Sequence, residues 1–204
     1  MTERNTHMRN DDTHNHDQSI ATTNDGIPSP VALMTIFSEV HTERLILRRL
    51  RDDDGPAMFA VHGDLETNRY NPAGPDPDIA TSEEKLRLWI QNWEEYGFGY
   101  WAVTLPQTED ILGFGGVRHL IWRNRDVLNL YYRLAPSAWG KGYATELAQT
   151  AVALSRKHLP QWPVIVRTRS ENIAAIRTAE RSRLLRHHAL DTEHIIFTLG
   201  WMPY

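Results

Sequence analysis

Cysteine is absent from the 204-residue chain, which excludes disulfides, thiolate nucleophiles and cysteine-held zinc together and fits a reducing cytoplasm better than secretion. A run of about 18 apolar residues is missing too, so no membrane span is expected. Positive charge is not in excess. The 22 Lys and Arg stand against 26 Asp and Glu, and the net charge of −4 argues against a broad nucleic-acid-binding face. It leaves room for a local basic pocket around a small anion. What is present is 41% hydrophobic residues with seven tryptophans, enough to fill the core of one α/β domain of this length. The expected partners are small molecules or peptides.

The first 40 residues differ from the rest. Asn, Asp, Thr and His dominate to Asp25, and Gly26, Pro28 and Pro30 follow without sustained periodicity, so residues 1–40 read as a disordered tail and residues 41–204 as the domain. His7, His14 and His16 in this stretch lack the ordered shell that metal ligation needs, and no metal is expected. The basic, apolar, small-residue order of a signal peptide is also missing. Met34 precedes the first patterned segment and offers a second start for translation.

From Thr42 the pattern alternates through Leu50 as a strand. Asp52 to Asp54 and Pro56 then open a short helix, and Gly63 to Pro77 form a stiff loop carrying Arg69 and Tyr70. Thr81 with Glu84 reads as a capping box for a second helix ending near Tyr96, with Leu86, Trp89, Ile90 and Trp93 at helical spacing. Three strands follow, Tyr100 to Leu105, Ile111 to Leu120 and Val127 to Leu134, joined by 106–110 and 123–126 as hairpin connections. Helix, strand (Pro163 to Thr168), helix (Asn172 to Leu184) and strand (Ile195 to Leu199) complete a mixed α/β (α+β) domain.

The chemistry concentrates between Ala135 and Ala144, where a strand feeds Trp139-Gly140-Lys141-Gly142-Tyr143-Ala144 and then a helix N-terminus. Glycines let successive N–H groups converge, and the helix dipole adds positive character where they point, which suits a phosphate or pyrophosphate. Lys141 and Arg133 can add charge. A Walker loop is excluded because Gly142 follows Lys141 and no glycine stands five residues before Gly140. A dinucleotide fingerprint is excluded because the turn follows antiparallel strands and offers no third glycine.

The Pro136 to Leu147 stretch resembles the pyrophosphate loop of GNAT acetyltransferases, in the form used by the RimJ/RimL branch. The likeness extends from Thr42-Glu43-Arg44-Leu45-Ile46-Leu47-Arg48 through Gly113 to Gly116 to Glu171-Asn172-Ile173-Ala174-Ala175-Ile176. It implies a central, mostly antiparallel sheet flanked by helices. It further implies that acetyl-CoA is held by the backbone of Trp139, Gly140, Lys141, Gly142, Tyr143 and Ala144. Tyr132, Arg133 and Leu134 would pair with the pantetheine arm, with Asn172 touching the same arm. The implied activity is N-acetyltransfer to a primary amine (a protein N-terminus, an amino acid or a small amine) by direct attack through a tetrahedral intermediate. A strand N–H from Tyr131 to Arg133 would meet the oxyanion.

Proton handling departs from that pattern. Asn129 stands where many relatives carry a glutamate, and an amide cannot act as a base. His119 is the candidate replacement, with Glu94 or Glu95 acting through water. Ala179 stands where a tyrosine often protonates the thiolate, and Arg183 replaces a glycine that normally ends a helix, so arginine should strain that cap or lengthen the helix. Tyr70, Asn71, Trp93 and Trp122, with Trp89, are the candidate acceptor wall, although Trp89 and Trp93 carry the spacing of a core face. Two readings stay open beside the enzyme: a catalytically silent acyl-CoA-binding module and a protein-interaction domain. Either a monomer or a homodimer fits.

Overall fold

A computed structural model describes residues 28–202. Ser29 caps α1 (Pro30–Phe37) by accepting a hydrogen bond from the Ala32 N–H at 3.3 Å, with proline at the first helical position. Leu33 and Phe37, one turn apart, are fully buried, and the Trp101 indole N–H donates to the Phe37 carbonyl at 2.6 Å. The expected tail is therefore too long. Residues from Pro30 onward belong to the domain, because an N-capped helix with an i, i+4 apolar pair has a face to bury. Residues 1–27, with His7, His14 and His16, lie outside the described residues.

A hairpin of β1 (Glu39–His41) and β2 (Ile46–Arg48) replaces the single strand expected over 42–50. After a 3-10 turn at Asp52–Asp54 come α2 (Gly55–His62) and α3 (Ile79–Tyr96). Asp78, not Thr81, caps α3, its carboxylate accepting from the Thr81 N–H at 2.8 Å. The central strands are β3 (Tyr100–Thr104), β4 (Ile111–Trp122) and β5 (Arg125–Leu134). A two-residue turn, Arg123–Asn124, joins β4 to β5 with φ of 51° and 60°, the left-handed geometry that matches strand twist. Both strands therefore run further toward the turn than alternation suggested. The chain finishes with α4 (Tyr143–His158), β6 (Val164–Thr168), α5 (Ile173–Arg181), β7 (Leu185–Arg186) and β8 (Ile195–Leu199).

The strands form one sheet of order β1-β2-β3-β4-β5-β6-β8-β7, antiparallel everywhere except between β5 and β6. That parallel junction is short: only Leu128–Val164 and Asn129–Ile165 pair, after which the two strands part. Side chains alternate faces. Tyr131 meets His62 of α2 and Trp89 of α3 on one face. On the other, Gly115, paired with Tyr132, lies against Leu147 of α4, and the Tyr132 hydroxyl donates to the Ala175 carbonyl of α5 at 3.0 Å. Helices thus cover both faces, and a wedge-shaped cleft opens in the middle of the sheet. Among the described residues no helix is long and apolar enough to cross a membrane.

Candidate functional site

The cleft begins at the glycine-rich turn. Gly140 and Gly142 hold φ of 73° and 81°, and Gly142 is the N-cap of α4. Left-handed backbone at both positions turns the intervening amides outward, and glycine adopts it without a Cβ penalty. Among the described residues, no backbone amide from Gly140 to Ala144 donates to a carbonyl, while Thr145 and Glu146 return to the Gly142 carbonyl at 3.1 Å. A Cβ on Gly140 would meet nothing within 4 Å. Free donors, open space and a helix N-terminus are what a pyrophosphate needs, so the residues present fit this part of acetyl-CoA.

The turn is braced from outside. Glu146, in the first turn of α4, accepts from the Thr42 hydroxyl at 2.6 Å, the Arg44 N–H at 2.8 Å and the Arg44 guanidinium at 2.7 Å. Arg44 also donates to the Lys141 carbonyl at 2.8 Å and lies over the Tyr143 ring. Burial pushes the Glu146 carboxyl upward, but these donors outweigh it and hold the group below the usual carboxylate range. The Arg44 guanidinium, 2.7 Å away, offsets the charge of this carboxylate beside the neighbouring amides. Thr42 and Arg44 are therefore supports of the loop, a role invisible while they read only as the start of a strand.

Beyond the junction the β5 edge is available. The Leu128 N–H donates to the Pro163 carbonyl at 2.9 Å, and pairing ends at Asn129–Ile165. Alternate amides point to one side of a strand, so of residues Tyr131 to Arg133 it is Tyr132 whose N–H faces the gap where β6 has left. The Leu134 carbonyl receives the Trp139 indole N–H at 2.7 Å, fixing the half-exposed Trp139 at the head of the loop. Asn172 caps α5, its Oδ1 accepting from the Ala175 N–H at 3.1 Å, which leaves its amide NH2 without a hydrogen-bond partner among the described residues.

The α2/α3 face of the cleft is aromatic and polar at once. His62 Nδ1 lies 3.1 Å from the Met58 carbonyl, which can only accept, so Nδ1 carries the proton and Nε2 accepts from the Tyr131 hydroxyl at 2.8 Å. Burial, then the Arg133 and Lys85 charges, lower the His62 pKa to about 3. Burial pushes the Tyr131 phenol well above its ordinary range. Asn129 donates to the Tyr100 hydroxyl at 2.6 Å, and Tyr100 meets Tyr131 across Gly116 with ring centroids 5.0 Å apart. Arg133 is held by the Asn68 side chain, whose amide also donates to the His62 carbonyl at 2.7 Å, tying the loop after α2 to the end of β5.

Several expected site residues lie elsewhere. His119 pairs with Leu128 and so shares the α4 face, opposite to Asn129 and Tyr131. Its Nε2 lies 2.8 Å from Asp126 and its ring is enclosed by Tyr96 and Trp162, so it braces the sheet and does not reach the cleft. Glu94 pairs with Arg49 at 3.7 Å, and Glu95 hydrogen-bonds Tyr96; neither reaches the cleft. Trp93 is wholly buried with its indole on the Tyr100 carbonyl at 2.8 Å, and Trp122 packs on Trp201 at the hairpin tip. Neither belongs to an acceptor wall. Tyr70 and Asn71, by contrast, line a cavity with Arg69, Pro72, Arg169 and Glu171. The sequence reading missed His62, Asn68 and the side chain of Tyr131, which it takes only for its backbone; the one local signal was His62 four residues after Met58 on an otherwise apolar helix.

Comparison with known proteins bears on this geometry. The model of the acetyltransferase (GNAT) domain family matches residues 44–184. The uncharacterized N-acetyltransferase YoaA of Bacillus subtilis is 25% identical over 118 residues, covering 58% of this chain and 66% of that protein, just under two thirds of its length. A solved acetyltransferase from Agrobacterium tumefaciens superposes with a TM-score of 0.69 at 22% identity, covering 79% of this chain and 93% of the other. Spermidine N-acetyltransferase from Vibrio cholerae, solved with CoA and spermine, gives a TM-score of 0.61 at 18% identity, with coverage of 77% and 94%.

Proposed function

Because the chain belongs to the GNAT acetyltransferase domain family, we propose that it transfers the acetyl group of acetyl-CoA to a primary amine by direct attack on the thioester. The observation that carries this reading is the row of unsatisfied amides from Gly140 to Ala144 at the mouth of the β5/β6 cleft. Bound acetyl-CoA supplies an activated acyl group with a thiolate leaving group. The chain's own part is to hold the pyrophosphate on the loop amides, accept the pantetheine along β5 from Tyr132 to Leu134, and touch the same arm with the Asn172 NH2. The Tyr132 N–H meets the developing oxyanion. The acceptor enters from the side of Tyr131 and Trp89, whose rings wall one face of the cleft.

Asn129 cannot take the ammonium proton, and His62 has its acceptor nitrogen occupied by Tyr131. Proton loss therefore occurs to solvent in the open cleft, and Ala179 leaves thiolate protonation to water as well. The acceptor class is either a peptide N-terminus or a small amine, and the Vibrio cholerae neighbour acts on spermidine. A silent CoA-binding module would keep the loop but release no CoA.

The test is calorimetry with acetyl-CoA together with CoA release across a panel of amines. In Gly140→Asp a carboxylate stands in the open space of the anion cradle, and acetyl-CoA affinity should fall about 100-fold or more with the fold intact. Gly140→Ala, which adds only the strain of positive φ, should lose far less. Equal affinity in Gly140→Asp and the parent sinks the assignment.

A further inference from the structure

Arg133 and Arg169 each stand five residues beyond the Leu128–Val164 pair, so the parted strands end in two guanidiniums on opposite lips of the cleft. The loop between α2 and α3 spans these lips. Asn68 grips Arg133, and a few residues on, Arg69 to Pro72 face Arg169 and Glu171 across a cavity of about 320 Å³. That volume suits an amino acid or the end of a short peptide. Arg69 is steadied over the Tyr70 ring, 5.6 Å from its centroid. Among the described residues neither Arg69 nor Arg169 enters an ion pair, and Glu171 is unpaired too. The cavity thus holds two unmatched cations against one anion.

Two guanidiniums free to fork onto an anion, at the acceptor side of an amine-acetylating cleft, are mismatched to a polycation and matched to a carboxylate. Resting on the acetyltransferase reading above, we infer that the acceptor is a primary amine bearing a carboxylate, an amino acid or short acidic peptide, whose anionic group is held by Arg69 and Arg169. Polyamines and aminoglycosides are disfavoured by the same two charges. The same guanidiniums could in chemical terms hold a phosphate of the cofactor, and the experiment separates the two sources.

CoA release is measured for amino acids and acidic dipeptides against their C-terminal amides, with spermidine alongside, and acetyl-CoA affinity is measured by calorimetry on the same samples. The amide has the less basic amine and would be favoured by chemistry alone, so a preference for the free acid reports binding. The expected result is a kcat/KM higher for the acids than for their amides. In Arg69→Gln and Arg169→Gln, KM for the acids should rise about 10-fold each, with kcat within about twofold and acetyl-CoA affinity kept. Equal or better turnover of amides or spermidine, or no turnover of any carboxylate-bearing amine by protein that binds acetyl-CoA, overturns the inference and leaves the cofactor site standing. Lost acetyl-CoA affinity in the arginine variants also overturns it, by assigning the anion to the cofactor. Failure of the parent to bind acetyl-CoA overturns the acetyltransferase reading itself, and the inference with it.

Discussion

At the scale of single residues, the His62–Tyr131 pair is the most consequential contact in the cleft wall. Folded His62 takes a proton only near pH 3, whereas an unfolded histidine does so near 6.5, so acid favours the unfolded chain across that window. Stability should be full above pH 6.5 and decline by up to about 1.4 kcal/mol per pH unit as the pH falls toward 5. In His62→Gln, which stays neutral throughout, the decline should flatten to what His158, also lowered by burial, contributes. Denaturant melts at pH 5 to 7.5 measure it, and parallel slopes in the two proteins would refute the assignment. No sequence pattern announces this pair, since its members lie 69 positions apart. His119 shows the complementary difficulty: its chemistry suited a base, but a residue opposite Leu128 cannot share a face with Asn129, and only register reveals that.

At the scale of elements, local signals were legible wherever they sat inside one segment. The strand, glycine turn and helix around Gly140 to Ala144 read correctly from order alone, as did the run of three strands before them. Ends were less legible, because caps depend on side-chain geometry: Asp78 in place of Thr81, and a two-residue hairpin turn where four residues looked loop-like. The end of α5 was open between a strained cap and a longer helix, and strain is the outcome. Arg183 takes φ of 63° while its N–H and that of Leu184 return to the Glu180 and Ala179 carbonyls at 2.9 and 3.1 Å, with Leu184 and Ala179 both buried. This is a Schellman cap with arginine at the position glycine prefers. Arg183→Gly should therefore raise stability by about 1 kcal/mol, read as a shift in urea midpoint at unchanged slope. An unchanged or lower midpoint would show that the side chain compensates the strain elsewhere.

At the scale of the whole molecule, α1 is part of the domain although its sequence joins a polar tail. A chain begun at Met34 loses the Ser29 cap and Leu33, which is 2% exposed, at a cost of about 3 kcal/mol. For a domain of this size that corresponds to a Tm lower by about 6–12 °C, measurable by calorimetry against a chain begun near Asp25. Equal Tm values would mean that α1 packs without contributing. The sheet carries a different lesson in its middle, where two rows of pairing join β1–β5 to β6–β8. In evolutionary terms this is a natural crossover point. A recombinant between two relatives that switches parent within residues 159–163 divides the sheet at a junction of only two paired rows. Its offspring take the glycine-rich loop and Arg69 to Pro72 from one parent and Arg169, Glu171 and Asn172 from the other, so a single exchange re-pairs the two walls of the cavity.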